Sequence, residues 1–295
     1  VVAAFQVLDA VNDGVLDAAH SVSAYWYGKN KAASLFGTGP VFGGDANQMI
    51  AWLYHGGGYD FYRELTQDVL GLNIVGFLSF GMPAQPLGWF KNEITDATQV
   101  SGLKYRTVGL AADLFQAMGA SVAQLPGGEI VPAMERGVID AFEFNNPSSD
   151  MRFGAQDVAK NYYLGSYHQA SEAFEFLFNR DFMDDLDDDL RAIMEYGVEA
   201  ASTANTAFAL DNYSADLQKL QNESGVNVQQ TPQDILAAQL DAWSEMITEL
   251  ESDPFIKKVL DSQREWVERV TYYELLNSPD YRLAYNHFFP GKLPS

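Results

Sequence analysis

Asn12-Asp13-Gly14-Val15-Leu16-Asp17-Ala18 recurs as Glu135-Arg136-Gly137-Val138-Ile139-Asp140-Ala141. Each copy follows a helical pattern. Ala3 to Val11 sets Phe5, Leu8 and Val11 on one face, and the stretch from Glu129 to Arg136 precedes the second copy. The glycine ends the helix in a left-handed conformation, and the apolar pair after it enters a buried strand. The likeness has two readings. Either two ordinary helix-to-strand turns coincide, or one turn is used in two similar α/β lobes that face a shared cleft.

The pattern around both copies is α/β. Strands are expected at 15–22, 72–80, 88–91, 103–106, 121–125, 138–144 and 174–179, with short helices between them. The second half turns helical. Apolar stripes run through Leu186, Leu190, Ile193, Met194 and Val198, then Leu236, Leu240, Trp243, Ile247 and Leu250, then Ile256, Val259, Leu260, Trp266, Val267 and Val270. Pro254 after Asp253 reads as a capped helix start.

The 295 residues carry 18 Lys+Arg against 40 Asp+Glu, a formal net charge of −22, which argues against nucleic acid as a partner. Acidity serves equally as a solubility device or suits salty, extracytoplasmic surroundings. With no cysteine there are no disulfides, thiol nucleophiles or thiolate zinc sites. No apolar run reaches the roughly 18 residues of a membrane helix. The four histidines, His20, His55, His168 and His287, lack metal spacing. The acidic run 184–189 lacks the glycine and terminal glutamate of a calcium loop, and reads as helix-start carboxylates.

Four segments carry chemistry. Tyr25 and Trp26 follow a strand. Gln85 sits between Pro83 and Pro86. Arg106 ends a strand, and Glu143 ends another, followed by Phe144. Each has a plain alternative: aromatics as core, Gln85 as a turn residue, Arg106 and Glu143 as a structural ion pair. Together they bring a cation, an anion, an amide and aromatic walls to strand ends, where α/β lobes bind ligands.

These stretches, with Trp52–Gly58, Gly88-Trp89-Phe90, Gly102–Arg106, Gly127–Ile130 and Gly137–Glu143, resemble the solute receptors of tripartite ATP-independent periplasmic (TRAP) transporters. The likeness is to the branch that binds 2-oxo acids. It implies a two-lobed periplasmic binding protein, type II-like, with a long linking helix near 187–220 and C-terminal helices. Residues 1–100 would belong to the first lobe and its crossover, 101–180 to the second, 181–220 to the long helix, and 221–295 to a last strand and the C-terminal helices. The family's chain begins earlier, so the resemblance places an opening strand, helix and strand before this sequence.

The resemblance also implies a function: periplasmic capture of a 2-oxo or 2-hydroxy monocarboxylate for the membrane permease subunits, not catalysis. The alternative class is a metal-dependent enzyme with Glu143 as base. Arg106 would hold the ligand carboxylate through a bidentate fork. Gln85, Glu143 and the carbonyl of Phe144 would hold a cation, with the family's second glutamate falling on Gln169; that loss of charge favours Na⁺ over Ca²⁺. Tyr25, Trp26, Phe144, Tyr167 and His168 would shape the pocket. The C-terminal helix 252–276, rich in apolar and aromatic residues, points to a homodimer or to packing on its own chain.

Overall fold

A computed structural model describes residues 2–293. Its nine strands, β1 (Ala18–Val22), β2 (Ile74–Met82), β3 (Gly88–Phe90), β4 (Lys104–Arg106), β5 (Ser121–Ala123), β6 (Ala141–Phe142), β7 (Asn161–Leu164), β8 (Glu172–Asn179) and β9 (Asn227–Gln230), form two sheets. The first has the order β1-β8-β2 and is antiparallel. The second has the order β5-β4-β6-β3-β7-β9, with β4 parallel to β5 and β6 and β3 antiparallel to β6 and β7. Each sheet is the floor of one lobe.

Two segments cross between the lobes, 83–87 and 165–171. They are tied where Gln85 donates its backbone N–H to the Gln169 carbonyl at 2.9 Å. The helix Asp188–Asn222, 35 residues long, packs on β2 and on the helix Pro147–Phe153. At about 1.5 Å per residue it is roughly 50 Å long, enough to brace both lobes.

Local chemistry explains many boundaries. Gly14 at φ 71° and Gly137 at φ 70° end the two repeated helices in the left-handed region, as the repeat required. Asp253 accepts from the N–H groups of Phe255 and Ile256 at the start of Pro254–Asn277. Gly88, at φ 116°, lets β3 lie against β6, since a Cβ there would come within 2.1 Å of the Phe142 carbonyl oxygen.

The first lobe's core gathers Trp52, Leu53, Leu65, Ile74, Leu78 and Leu177 with Val259 and Leu260 from the C-terminal helices. The second lobe packs Trp89, Ile130, Phe142 and Tyr162. Full burial of each such side chain contributes about 1.5–3 kcal/mol.

Some expectations fail. Leu190 and Ile193 are 47% and 63% exposed, so the start of their stripe is left uncovered. In helix Gln233–Leu250 the buried stripe is Ile235, Gln239, Ala242, Trp243, Met246 and Leu250, and Leu240 faces out. Strand β6 is two residues long because the chain turns at Glu143 to begin the cavity wall. Strand β7 was not anticipated, and β9, the strand within 221–295, is Asn-Val-Gln-Gln, which lacks an apolar alternation.

Candidate ligand-binding site

Arg106 ends β4 and pairs in register with Phe142, so Glu143 emerges beside it at the same sheet edge. Both side chains are 1% exposed and form an ion pair at 2.9 Å. Arg106 Nη1 donates to Glu143 Oε1 at 2.9 Å and to its carbonyl at 2.8 Å, and Nε donates to the Leu125 carbonyl at 2.8 Å. Nη2 is buried without a partner. Burial pushes the Glu143 pKa up, and the Arg106 charge pulls it back.

The two sheets face each other across a cavity of about 690 Å³, lined in part by Tyr25, Gln85, Arg106, Phe144, Asn145 and Glu172. Gln85 Nε2 donates to Glu172 Oε2 at 3.0 Å, and Asn145 Nδ2 donates to the same oxygen at 2.9 Å. Gln85 Oε1 and Glu143 Oε2 are buried and unpartnered. Orphaned acceptors beside an orphaned guanidinium nitrogen mark a place built for something the protein itself does not supply. The pKa of Glu172 is pushed up to about 8, first by burial and then by the charge of Glu143. Tyr25 lies close enough to Arg106 for the guanidinium to hold its phenol pKa down against the larger effect of burial, which raises it.

Four of the sequence-derived residues, Tyr25, Gln85, Arg106 and Phe144, line this cavity, and Glu143 joins them through its ion pair with Arg106. Four do not reach the cavity. Trp26 is buried in the first lobe, donating to Glu175 at 2.8 Å. Tyr167 lies on a separate hollow behind the crossovers. His168 is fully buried against Phe115, and burial lowers its pKa to about 3. The Gln169 side chain is buried without partners outside the cavity lining.

Glu172, and not Gln169, lines the cavity and accepts from the Gln85 amide. Its signal was present, a carboxylate at the end of the apolar strand Phe174 to Phe178, the same feature that singled out Glu143. Asn145, Asn146 and Tyr213 on the long helix also line the cavity and were not singled out. Among the described residues no cluster of three His, Cys, Asp or Glu could hold a metal. The oxygens gathered here, two carboxylates, an amide oxygen and a backbone carbonyl, are hard donors of the kind that suits Na⁺ or Ca²⁺.

Two facing α/β lobes with a charged, half-apolar cleft between them define a solute-binding protein of the hinged, two-lobed kind. The chain belongs to the DctP family, described as bacterial extracellular solute-binding protein, family 7, whose model matches residues 2–255. It is a periplasmic protein of a family of binding proteins, not of enzymes. A monocarboxylate 2-oxoacid-binding periplasmic protein of Nostoc sp. is 37% identical over 174 residues, 59% of this chain and 47% of that protein. The chain spans less than half the length of the curated relatives it matches.

Among solved structures, a TRAP periplasmic solute-binding protein from Pseudoalteromonas atlantica with bound sodium and pyruvate is 31% identical. It has a TM-score of 0.86 over 97% of this chain and 84% of that one. A TRAP transporter solute-binding protein from Bordetella bronchiseptica, a mixed-occupancy dimer with copurified calcium and picolinate, is 27% identical. Its TM-score is 0.87 over 96% of this chain and 82% of that one.

Proposed function

We propose that this protein captures a small 2-oxo or 2-hydroxy monocarboxylate in the cleft and delivers it to the membrane permease subunits of a TRAP transporter. The carrying observation is the pair of buried, unpartnered atoms Arg106 Nη2 and Gln85 Oε1 on residues that line one cavity, with the unpartnered Glu143 Oε2 on the ion-paired neighbour of Arg106. The ligand carboxylate takes Nη2, with the Tyr25 phenol as a second donor. A full fork on Arg106 needs Glu143 to release Nη1, which it does when its carboxylate turns to a cation.

That cation would sit among Gln85 Oε1, Glu143, the Phe144 carbonyl and Glu172, and would supply Lewis acidity toward the acid's carboxylate and 2-oxygen. With Glu172 in place of Gln169 the site holds two carboxylates. One guanidinium and a divalent ion then balance them together with the bound acid, so the charge count suits Ca²⁺. Na⁺ leaves one negative charge in the site unless Glu172 keeps its proton.

The receptor works as a homodimer on this reading. Tyr272, Leu275, Leu276, Tyr281, Leu283 and Phe288 are all more than half exposed along the C-terminal helices. Such a continuous apolar face is unusual on a monomer.

The test is titration calorimetry with pyruvate and larger 2-oxo acids, in sodium-free, chelator-treated buffer and then with each ion restored. Mass spectrometry of the acid after incubation accompanies it. Binding without turnover, restored by an ion, is expected. Turnover would return the enzyme reading, and binding of no 2-oxo acid under any ion condition would reject the receptor reading.

A further inference from the structure

We propose that Asp150 is a positioning residue of this site, holding the turn 143–146 from behind and acting on the ligand through Asn145; the proposal rests on the receptor reading above. Asp150 lies in the first turn of helix Pro147–Phe153 and is 0% exposed. Its Oδ2 accepts from the Trp89 indole at 2.9 Å and the Tyr162 hydroxyl at 3.3 Å. Its Oδ1 accepts from the backbone N–H of Asn145 at 3.1 Å. All three donors are neutral.

A buried carboxylate held only by neutral donors is costly. Burial pushes its pKa up to about 7. Packing alone does not call for an aspartate here. Three converging donors do, because a carboxylate has only acceptors, whereas an asparagine would turn its NH₂ toward one of them.

The turn is fastened on its other sides too. The Asn145 side chain donates to Glu172 Oε2 at 2.9 Å, the oxygen that also receives Gln85. Asn146 accepts from the N–H groups of Ser148 and Ser149 and donates to the Tyr213 hydroxyl at 3.0 Å. The Phe144 carbonyl lies within this turn. Asp150 therefore holds the backbone that aims the Asn145 amide, two hydrogen bonds from Glu172.

The first lobe has a counterpart with a telling difference. Glu175 is 0% exposed and accepts from the Trp26 indole at 2.8 Å and the Tyr62 hydroxyl at 2.7 Å. Both lobes thus grip a buried carboxylate with one indole and one phenol. Only Asp150 spends its remaining oxygen on a chain segment that lines the cavity.

The experiment measures the Kd for pyruvate with Ca²⁺ present, on the full chain, for Asp150→Asn, Asn145→Ala and the double variant. Each single change is expected to weaken binding about tenfold with the melting temperature little moved. The double variant should stay within about twofold of the weaker single, because both act along one path. An unchanged Kd in either single variant, or losses that multiply to about a hundredfold, overturns the proposal. If Asp150→Asn does not fold, Tyr162→Phe loosens the same carboxylate. A loss of about threefold that vanishes in the Asn145→Ala background supports the proposal, and an equal loss in both backgrounds overturns it. Wild-type protein that binds no 2-oxo acid removes the receptor reading and this proposal together, whereas wild-type binding with unaffected variants removes this proposal alone.

Discussion

Arg106 meets Glu143 twice through one nitrogen, Nη1 lying 2.8 Å from the carbonyl oxygen and 2.9 Å from Oε1, while Nη2 is buried without a hydrogen-bond partner. A purely structural ion pair would use the whole fork. The guanidinium is instead pinned on one side and open on the other.

Arg106→Lys should keep the fold and weaken binding of a 2-oxo acid by roughly 1.5–3 kcal/mol, the range for a charge-assisted hydrogen bond. An ammonium cannot serve Leu125, Glu143 and a ligand together. Arg106→Ala should also cost about 3–5 kcal/mol of stability, since it leaves Glu143 buried and unpaired. Calorimetry and urea denaturation check the two effects, and unchanged affinity in a folded Lys variant would reject the assignment.

Gln85→Ala should reduce the ion dependence of binding as well as the affinity. The change removes an amide oxygen offered to the cation and the donor that steadies Glu172. Affinity measured across a calcium titration should show a midpoint shifted to higher calcium by about tenfold, equivalent to roughly 1.4 kcal/mol. A midpoint that does not move places the cation elsewhere.

Glu175 contributes to the pH dependence of stability alongside Asp150 and Glu172, its pKa being raised from 4.5 to about 7 by burial, against the pull of the Tyr62 and Trp26 hydrogen bonds. In that window the folded state holds a proton that the unfolded chain has released. Its contribution is complete below about pH 4.5 and is lost as pH rises through about 7, with a slope of up to about 1.4 kcal/mol per pH unit. Glu175→Gln should flatten that part of the profile in ligand-free protein. A slope identical to wild type between pH 5 and 7 would assign the titration to other groups.

Assembly is tested by charge on the C-terminal face. Leu276→Asp with Phe288→Asp should turn a dimer into a monomer in light scattering without changing acid affinity, because both side chains are exposed at 71% and lie outside the cavity. A wild-type protein that scatters as a monomer of 32.6 kDa at micromolar concentration would reject the dimer.

Local patterns made much of the lobe plan legible. The repeated turn at Gly14 and Gly137, the strand ends at Arg106 and Glu143, and the capped start at Pro254 depend on neighbours within a few residues, and their chemistry is written in the chain. Where the pattern misled, a distant partner had decided. The stripe through Leu190 and Ile193 has helical spacing, yet those two side chains are exposed and only Val198 further along it is buried. Gln239 is fully buried because Ser166 and the Tyr167 backbone, far away in sequence, satisfy it.

The sequence by itself determined the α/β alternation, the glycine-ended helices and four chemically distinct strand ends, because hydrophobic period, glycine conformation and residue type act locally; the two-lobed plan and the long linking helix followed from the family resemblance. Only the tertiary structure decided which of those ends share a cavity. Strand register put Arg106 beside Glu143, and the paired crossovers gave the Gln85 side chain Glu172 as its partner while Gln169 meets only the Gln85 backbone. A shift of a few residues along a crossover changes which side chain reaches the cleft, and contacts between residues 87 positions apart settle that shift.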